Sequence, residues 1–327
     1  LSYLEYQGRS LSIFDNVKIN LSYNKQREGE EIIGRATPTV ETREVTDVGT
    51  FGGLLQLTSH WGEAQRFTYG FDYYRDMFDT RKQRIDLTFG AESPLTPGVP
   101  DDTHYESWAV YAQDEIELWS KAVAILGIRY STFNTAGRIG ATSLDFSTDA
   151  VTGSVNLLYR LTPYLNLVGG FAKGFRAPNI EDFFGRVDFF SEIPNTSLSP
   201  EESLNKEVGL KFYNEWGSAD LYYFHADYDG FIERVRVGTQ PDGRPIQQRR
   251  NFVDAEIQGV ETGLSLHPTP EWSAAGTLTW TRGEDDQNRP LRRIPPINGS
   301  IRVRYSPMPT LWFEAASVLA DDQRRLA

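Results

Sequence analysis

Short turns and long polar loops alternate without exception along this chain of 327 residues, and each segment between them reads as a β-strand. The turns fall near Gly8–Ser12, Gly62–Gln65, Trp119–Lys121, Thr162–Tyr164, Glu215–Ser218, Pro268–Glu271 and Pro307–Pro309. The loops run over Arg27–Thr37, Arg81–Thr103, Ala136–Ala150, Arg176–Ser203, Val237–Gln248 and Gly283–Asn298. In an antiparallel meander every second connection lies on the same edge of the sheet. All the short turns therefore belong to one edge and all the long loops to the other.

The strands carry a period-two pattern. Val208, Leu210 and Phe212 alternate with Glu207, Gly209 and Lys211, and Ile301, Val303 and Tyr305 alternate with Arg302 and Arg304. Val260, Leu264 and Leu266 share a face opposite Glu261, Gly263 and Ser265. Taken alone, this pattern fits a soluble sandwich that buries its apolar face or a membrane barrel that turns it to lipid. The sorted connections separate the two, because outer-membrane barrels have short turns on one side and long loops on the other. The fold class is all-β: an antiparallel up-and-down transmembrane β-barrel with about fourteen strands. Thr39 to Trp61 reads as one strand longer than a bilayer needs, projecting as a hairpin arm. Trp61, Trp108, Trp119, Trp216, Trp272, Trp280 and Trp312 lie near strand ends, where an interfacial girdle needs amphipathic rings. Two places break the alternation: aromatics on both faces of Leu221–Tyr228, and Asp114 in the apolar register of Trp108, Val110 and Ala112. Contact with a ligand or plug, or a register shift near the rim, would explain either.

Composition removes other classes. Lys and Arg number 33 against 45 Asp and Glu, giving a net charge of −12, and a pI near 4.9 is the wrong sign for a phosphate backbone, so no nucleic-acid partner is expected. With no cysteine there is no disulfide framework, thiolate metal site or cysteine nucleophile. The most apolar run, Ala122 to Gly127, is far shorter than the roughly 20 residues of a membrane helix. His225 with Asp227 and Asp229 lacks a serine to complete a catalytic set. The acidic run Glu284-Asp285-Asp286 lacks the spaced ligands of a calcium loop. No catalytic residue, resident metal or cofactor is expected, and the chain is not read as an enzyme. Leu1 enters a strand without an initiator Met or signal-like segment, and the expectation is an internal piece of a longer protein.

The stretch Gly170-Phe-Ala-Lys-Gly-Phe-Arg-Ala-Pro178 contains the segment Phe175, Arg176, Ala177, Pro178. It is followed by Asn195, Leu198, Pro200 and Glu201, then by Asn205, Glu207 and Gly209. This ordered set resembles the KGFRAP and NPxLxPE elements of TonB-dependent outer-membrane receptors. Tyr111–Glu115, Gly127–Tyr130, Ile257–Glu261 and Arg293–Pro296 support it. The resemblance implies a barrel of roughly 22 strands closed around an N-terminal plug, of which residues 1–327 are a single barrel fragment without plug, early strands or final strands. It also implies active import across the outer membrane of a Gram-negative-type bacterium, coupling to the TonB complex through the absent plug region, and contact with lipid and lipopolysaccharide. Independently of the family, Pro178 cannot donate to a ladder and should end its strand. Arg176 and Glu207, near the base of the same long loop, are expected to pair.

Several loops are locally basic: Arg81, Lys82 and Arg84; Arg234, Arg236, Arg244, Arg249 and Arg250; and Arg282, Arg289, Arg292 and Arg293. Arginines at a funnel mouth concentrate anionic solutes and make bidentate contacts to them. Arg249, Arg250, Arg292 and Arg293 are therefore the expected ligand contacts. Phe183 and Phe184, with Phe189 and Phe190, add flat surfaces. The expected ligand is a small-molecule metal chelate, first an iron–siderophore. Haem receptors of this family resemble one another in a histidine between the two motifs; none lies between Phe175 and Glu201 here, so haem is demoted, and cobalamin, a saccharide or another metal chelate stays open. The alternative outside this class is a passive porin or adhesin.

Overall fold

The computed structural model describes residues 1–11, 13–34, 37–139, 142–184, 191–241, 243–251 and 254–325. Its strands are β1 (Ser2–Leu11), β2 (Phe14–Ile33), β3 (Val40–Trp61), β4 (Gln65–Asp86), β5 (Glu92–Leu95), β6 (Thr103–Trp119), β7 (Ala122–Ile139), β8 (Thr142–Arg160) and β9 (Leu165–Arg176). After helix α1 (Ile180–Phe184) come β10 (Ser191–Ile193), β11 (Glu201–Asn214), β12 (Gly217–Asp229), β13 (Ile232–Thr239), β14 (Pro245–Asn251), β15 (Ala255–Thr269), β16 (Trp272–Asp285), β17 (Asn298–Met308) and β18 (Leu311–Ala320). Fourteen strands form one antiparallel meander, β1-β2-β3-β4-β6-β7-β8-β9-β11-β12-β15-β16-β17-β18, with β5 paired to β4. The sheet does not close: β1 and β18 are its two edges. A second sheet of three strands, β10-β14-β13, is built entirely from the two longest loops.

The sorted connections of the sequence are present, with local corrections. The first turn sits later than expected, because Gly8 is inside the ladder opposite Val17 and pairing continues to Leu11 opposite Phe14. Several segments expected as loops are ladder. β2 continues to Ile33 opposite Glu41, and the segment expected as a loop over Ala136–Ala150 is a ribbon paired up to Ile139 opposite Thr142. These segments lack a sustained apolar stripe, with Leu144 and Phe146 a short exception, yet their backbone groups still pair. The arm expected from Thr39 to Trp61 is β3, of 22 residues.

The apolar stripes face away from any core. Ile19, Leu21, Val110, Ile128, Val155, Leu157, Phe171, Val208, Leu210 and Ile301 are all exposed. We call their side the outer face. The inner face carries glycine and polar groups, such as buried Asp72, which takes a bidentate contact from Arg129 at 2.7 and 2.8 Å. Among the described residues, the buried apolar cluster is Leu144, Ile180, Phe183, Phe184 and Leu198, and it belongs to the loop end rather than to the sheet between turns and rim.

The outer face is banded. Trp61, Trp119, Trp216 and Trp272 are exposed at the short-turn edge, whereas Trp312 lies on the inner face under Arg304. Trp108 and Trp280 lie farther up their strands. At roughly 3.3 Å per residue and a tilt of roughly 40°, they sit about 20 to 28 Å above that edge. Val208, Tyr223, Val260 and Trp280 lie side by side across β11, β12, β15 and β16. Two residues farther up, the same register holds Lys206, His225, Gln258 and Arg282. A hydrocarbon slab between two aromatic rows, with polar side chains beginning at one level across four strands, accounts for this order.

Both irregularities of the alternation resolve without a register shift. On the inner face of β12, Tyr222 lies over Gly209 and Phe224 over Gly259, and a Cβ on either glycine would stand 2.4 or 2.6 Å from the ring. The rings fill the room that the missing side chains leave. Asp114 stays on the outer face, opposite Phe67 and Leu126 in an unbroken ladder, and its Oδ1 has no hydrogen-bond partner.

Candidate functional site

Chain direction changes at the end of β9, and the local sequence dictates how. Pro178 ends the ladder and is fully buried. Asn179 then caps α1: its Oδ1 accepts the Asp182 N–H (2.9 Å), while Asp182 Oδ2 accepts the Asn179 N–H (3.0 Å). This reciprocal pair satisfies two donors that a helix start leaves free. The cap holds Asp182 over the inner face, its side chain only 3% exposed.

Around that carboxylate a network of ions joins the two longest loops to the barrel wall. Arg176, the last residue of β9, donates from Nε and Nη2 to both oxygens of Glu201 (2.6 and 2.8 Å), and from Nη1 to Asp182 Oδ2 (2.6 Å). Arg249 on β14 donates to Asp182 Oδ1 from Nη1 and to Glu192 Oε1 from Nε (2.9 Å). Arg234 on β13 reaches Glu192 Oε2 at 3.2 Å. Three guanidiniums thus face three buried carboxylates, Asp182, Glu192 and Glu201. Burial alone would raise the Asp182 carboxyl, but the Asn179 N–H and the two guanidiniums outweigh it and hold it below the usual range. Hydrogen bonding to Glu201, more than offsetting burial, keeps the Arg176 guanidinium above its ordinary value.

Neutral hydrogen bonds extend the same scaffold. Glu201 Oε1 accepts the Ile232 N–H (2.7 Å). Asn195 Nδ2 donates to the Arg249 carbonyl (2.8 Å), and the Asn195 N–H donates to the Phe183 carbonyl (2.8 Å). Asn251 binds Ser199 through both its main-chain groups and also reaches the Gly230 carbonyl. Leu198, Phe183 and Phe184 are the apolar floor of this platform, with Phe146 and Phe183 rings 4.7 Å apart. Beneath it, Val48, Phe78, Val99, Tyr105 and Ile180 wall a cavity of about 470 Å³ between α1 and the upper inner faces of β2, β3, β4 and β6.

Several expected site residues have other places. Arg176 pairs with Glu201 and Asp182, not with Glu207, which is exposed and opposite Gly170, lower in the ladder. Phe183 and Phe184 are 0% and 4% exposed, so they pack the platform instead of offering flat surfaces to a ligand. Phe189 and Phe190 lie outside the described residues. Arg249 is engaged by Asp182 and Glu192, its side chain 13% exposed, so it joins loops rather than presenting a free cation. Arg250 is exposed and donates to Gln248, and Arg292 and Arg293 are exposed on the loop between β16 and β17. Of the motif residues, Phe175 stacks on Phe133 at 5.7 Å, Ala177 is buried and Gly209 admits the Tyr222 ring. The Pro200 carbonyl lies beside Gly230. Sequence reasoning missed Asp182 and Glu192. The spacing of Asn179 and Asp182, a cap and an acid three residues on, was the available signal for the first; nothing local marked the second.

The family model for "TonB dependent receptor-like, beta-barrel" matches residues 2–322. The chain belongs to this family. TonB-dependent receptors are outer-membrane proteins, and the outer-face banding agrees with that placement. One curated relative, the ferric enterobactin receptor PirA of Pseudomonas aeruginosa, is 26% identical over 266 residues, covering 74% of this chain and 34% of that protein. Another, the probable hemoglobin and hemoglobin-haptoglobin-binding protein 3 of Haemophilus influenzae, is 36% identical over 246 residues, covering 71% of this chain and 22% of its own. Among solved structures, the copper transporter OprC superposes with a TM-score of 0.84 at 18% identity, over 99% of this chain and 52% of that one. The siderophore receptor PirA from Acinetobacter baumannii gives 0.71 at 19% identity, over 98% of this chain and 51% of that one. The chain thus spans about a third or less of the two curated relatives and about half of the structural ones.

Proposed function

We propose that the whole receptor captures a scarce extracellular metal chelate at this mouth, an iron–siderophore first, and imports it to the periplasm with energy from the TonB complex. The observation that carries this reading is the platform. Two long loops are locked into one body by Arg176, Asp182, Arg249 and Glu192, leaving a walled cavity over the inner face. A passive pore has no use for a preorganised, charge-locked roof, whereas capture at low ligand concentration gains from one, because little ordering remains to be done on binding. The relatives named for ferric enterobactin and a siderophore support the chelate class. TonB coupling acts through a plug region that these residues do not include, and lipid with lipopolysaccharide surrounds the outer face.

Haem is the second reading, favoured by the relative named for haemoglobin. It gains nothing from the histidines of this chain: His60 meets Asp15 near the short-turn edge, and His225 meets Asp227 on the outer face. His104 shares the face of Met77, and His267 lies in β15 at its short-turn end. The test is uptake of radiolabelled ferric chelates and haem by cells carrying the full-length receptor as their single route. Uptake of a chelate that stops when the proton-motive force is collapsed is expected. Uptake that continues without energy would make the protein a pore.

A further inference from the structure

The cavity beneath the platform has a charge opposite to that of the arginine-rich loops. Its wall carries five carboxylates, Glu28, Glu30, Glu44, Asp76 and Glu181, and among the described residues no Lys or Arg lines it. Glu28 and Glu30 sit two apart on β2 and share the inner face, and Glu30 stands directly opposite Glu44 on β3. Like charges facing each other across a ladder destabilise it. Lys82 meets Glu44 at 2.8 Å, and Asp76 accepts the Thr50 hydroxyl at 2.6 Å. Glu181 is reached by Arg249 at 3.4 Å. Glu28 and Glu30 have neither a hydrogen bond nor an ion pair among the described residues.

A merely solvated arm would alternate its charges across the strands, as β3 and β4 do at Glu44 and Lys82. Here two unpaired and exposed acids, Glu28 and Glu30, instead line an open cavity whose wall also carries Val48, Phe78, Val99, Tyr105 and Ile180. Such a lining rejects an anion and suits a cation carried on an apolar body: carboxylates for the charge, the Tyr105 and Phe78 rings for its faces. Burial first, and then the Asp76 charge, push the Tyr105 hydroxyl up to about 12, so it stays a neutral donor beside the acids.

We propose that this cavity receives the cationic end of the imported chelate, an ammonium-like group on an apolar arm, so that the receptor selects chelates carrying positive charge. The inference rests on the import reading and adds the sign of the ligand's charge. Arg250, Arg292 and Arg293 do not line the cavity.

The experiment uses the full-length receptor in detergent and two probes: a ferric trihydroxamate bearing one free ammonium, and the same chelate N-acetylated, which lacks only that charge. Binding is read by quenching of intrinsic fluorescence. The ammonium form is expected to bind at least about tenfold more tightly, with a preference that shrinks as salt rises. The double variant Glu28→Gln and Glu30→Gln should lose most of the preference. It should fold as well as the parent, because neither carboxylate holds a structural partner. Equal affinity for the two probes, or a preference that survives in the variant, overturns the proposal. Uptake of both probes is measured in parallel. Preference without energy-dependent uptake supports the cavity and refutes import, whereas uptake without preference refutes the cavity alone.

Discussion

Replacing Arg249 by Met should loosen the platform and leave the barrel intact. The side chain of Met fills much the same length, so packing is largely kept while the guanidinium is lost. Asp182 and Glu192, with side chains 3% and 2% exposed, would each lose a charged partner. Breaking a buried ion pair from one side costs about 3–5 kcal/mol, because a charge is left without compensation. The lower end applies here, since Asp182 keeps Arg176 and the Asn179 N–H, and Glu192 keeps Arg234. A cost of about 3 kcal/mol on local opening corresponds to roughly a hundredfold faster amide exchange. The assay is hydrogen exchange by mass spectrometry on the full-length receptor, following peptides over residues 191–201 and 245–251. Peptides from β7 and β8 near the short turns serve as internal reference. Arg250→Ala, at an exposed side chain one residue away, should change exchange less than about twofold. If Arg249→Met exchanges like the parent, the ion network does not hold the loops and the platform argument fails.

The pH dependence of the same region follows from Asp182. Its folded carboxyl lies below the unfolded value, so its contribution is present above about pH 3.9 and is lost as pH falls through the lower folded value. Protease resistance of the loops should be the same at pH 7 and pH 5 and collapse only in stronger acid; loss by pH 5 would contradict the assignment. Gly209→Val drives a Cβ and its methyls into the Tyr222 ring, where even the Cβ would stand 2.4 Å away. It should cost about 1–3 kcal/mol in barrel unfolding by urea, and a neutral result would mean that the ring does not lie over that glycine. Asp114→Leu removes a carboxylate from the lipid face between Phe67 and Leu126. It should raise stability in bilayers by about 1 kcal/mol, and destabilisation would show that Asp114 has a partner there.

Most of the barrel was legible in the chain because it is written in local terms. Side-chain period two, turn residues and the lengths of connections depend on near neighbours alone. They establish strand existence, order and sidedness without knowledge of the third dimension. The hairpin arms were misread as loops for the converse reason: above the membrane no lipid-facing apolar stripe is needed, so periodicity fades while the backbone ladder continues.

The mouth was decided by tertiary structure. Glu201 and Glu207 have the same parity on β11 and face the same side, so the sequence could not choose between them as partners for Arg176. The register did, starting the ladder at Glu201 opposite Arg176 and placing Glu207 six residues lower. Likewise Arg249 and Arg250 are adjacent and chemically identical, yet one is enclosed by carboxylates from another loop and the other meets solvent. Phe183 looks like any loop aromatic until Leu144 and Leu198, distant in sequence, close over it. Alternation along one strand is a local property, but burial and charge pairing sum contributions from segments brought together only by folding. This chain therefore declares its barrel residue by residue, while its mouth exists only once the loops have met.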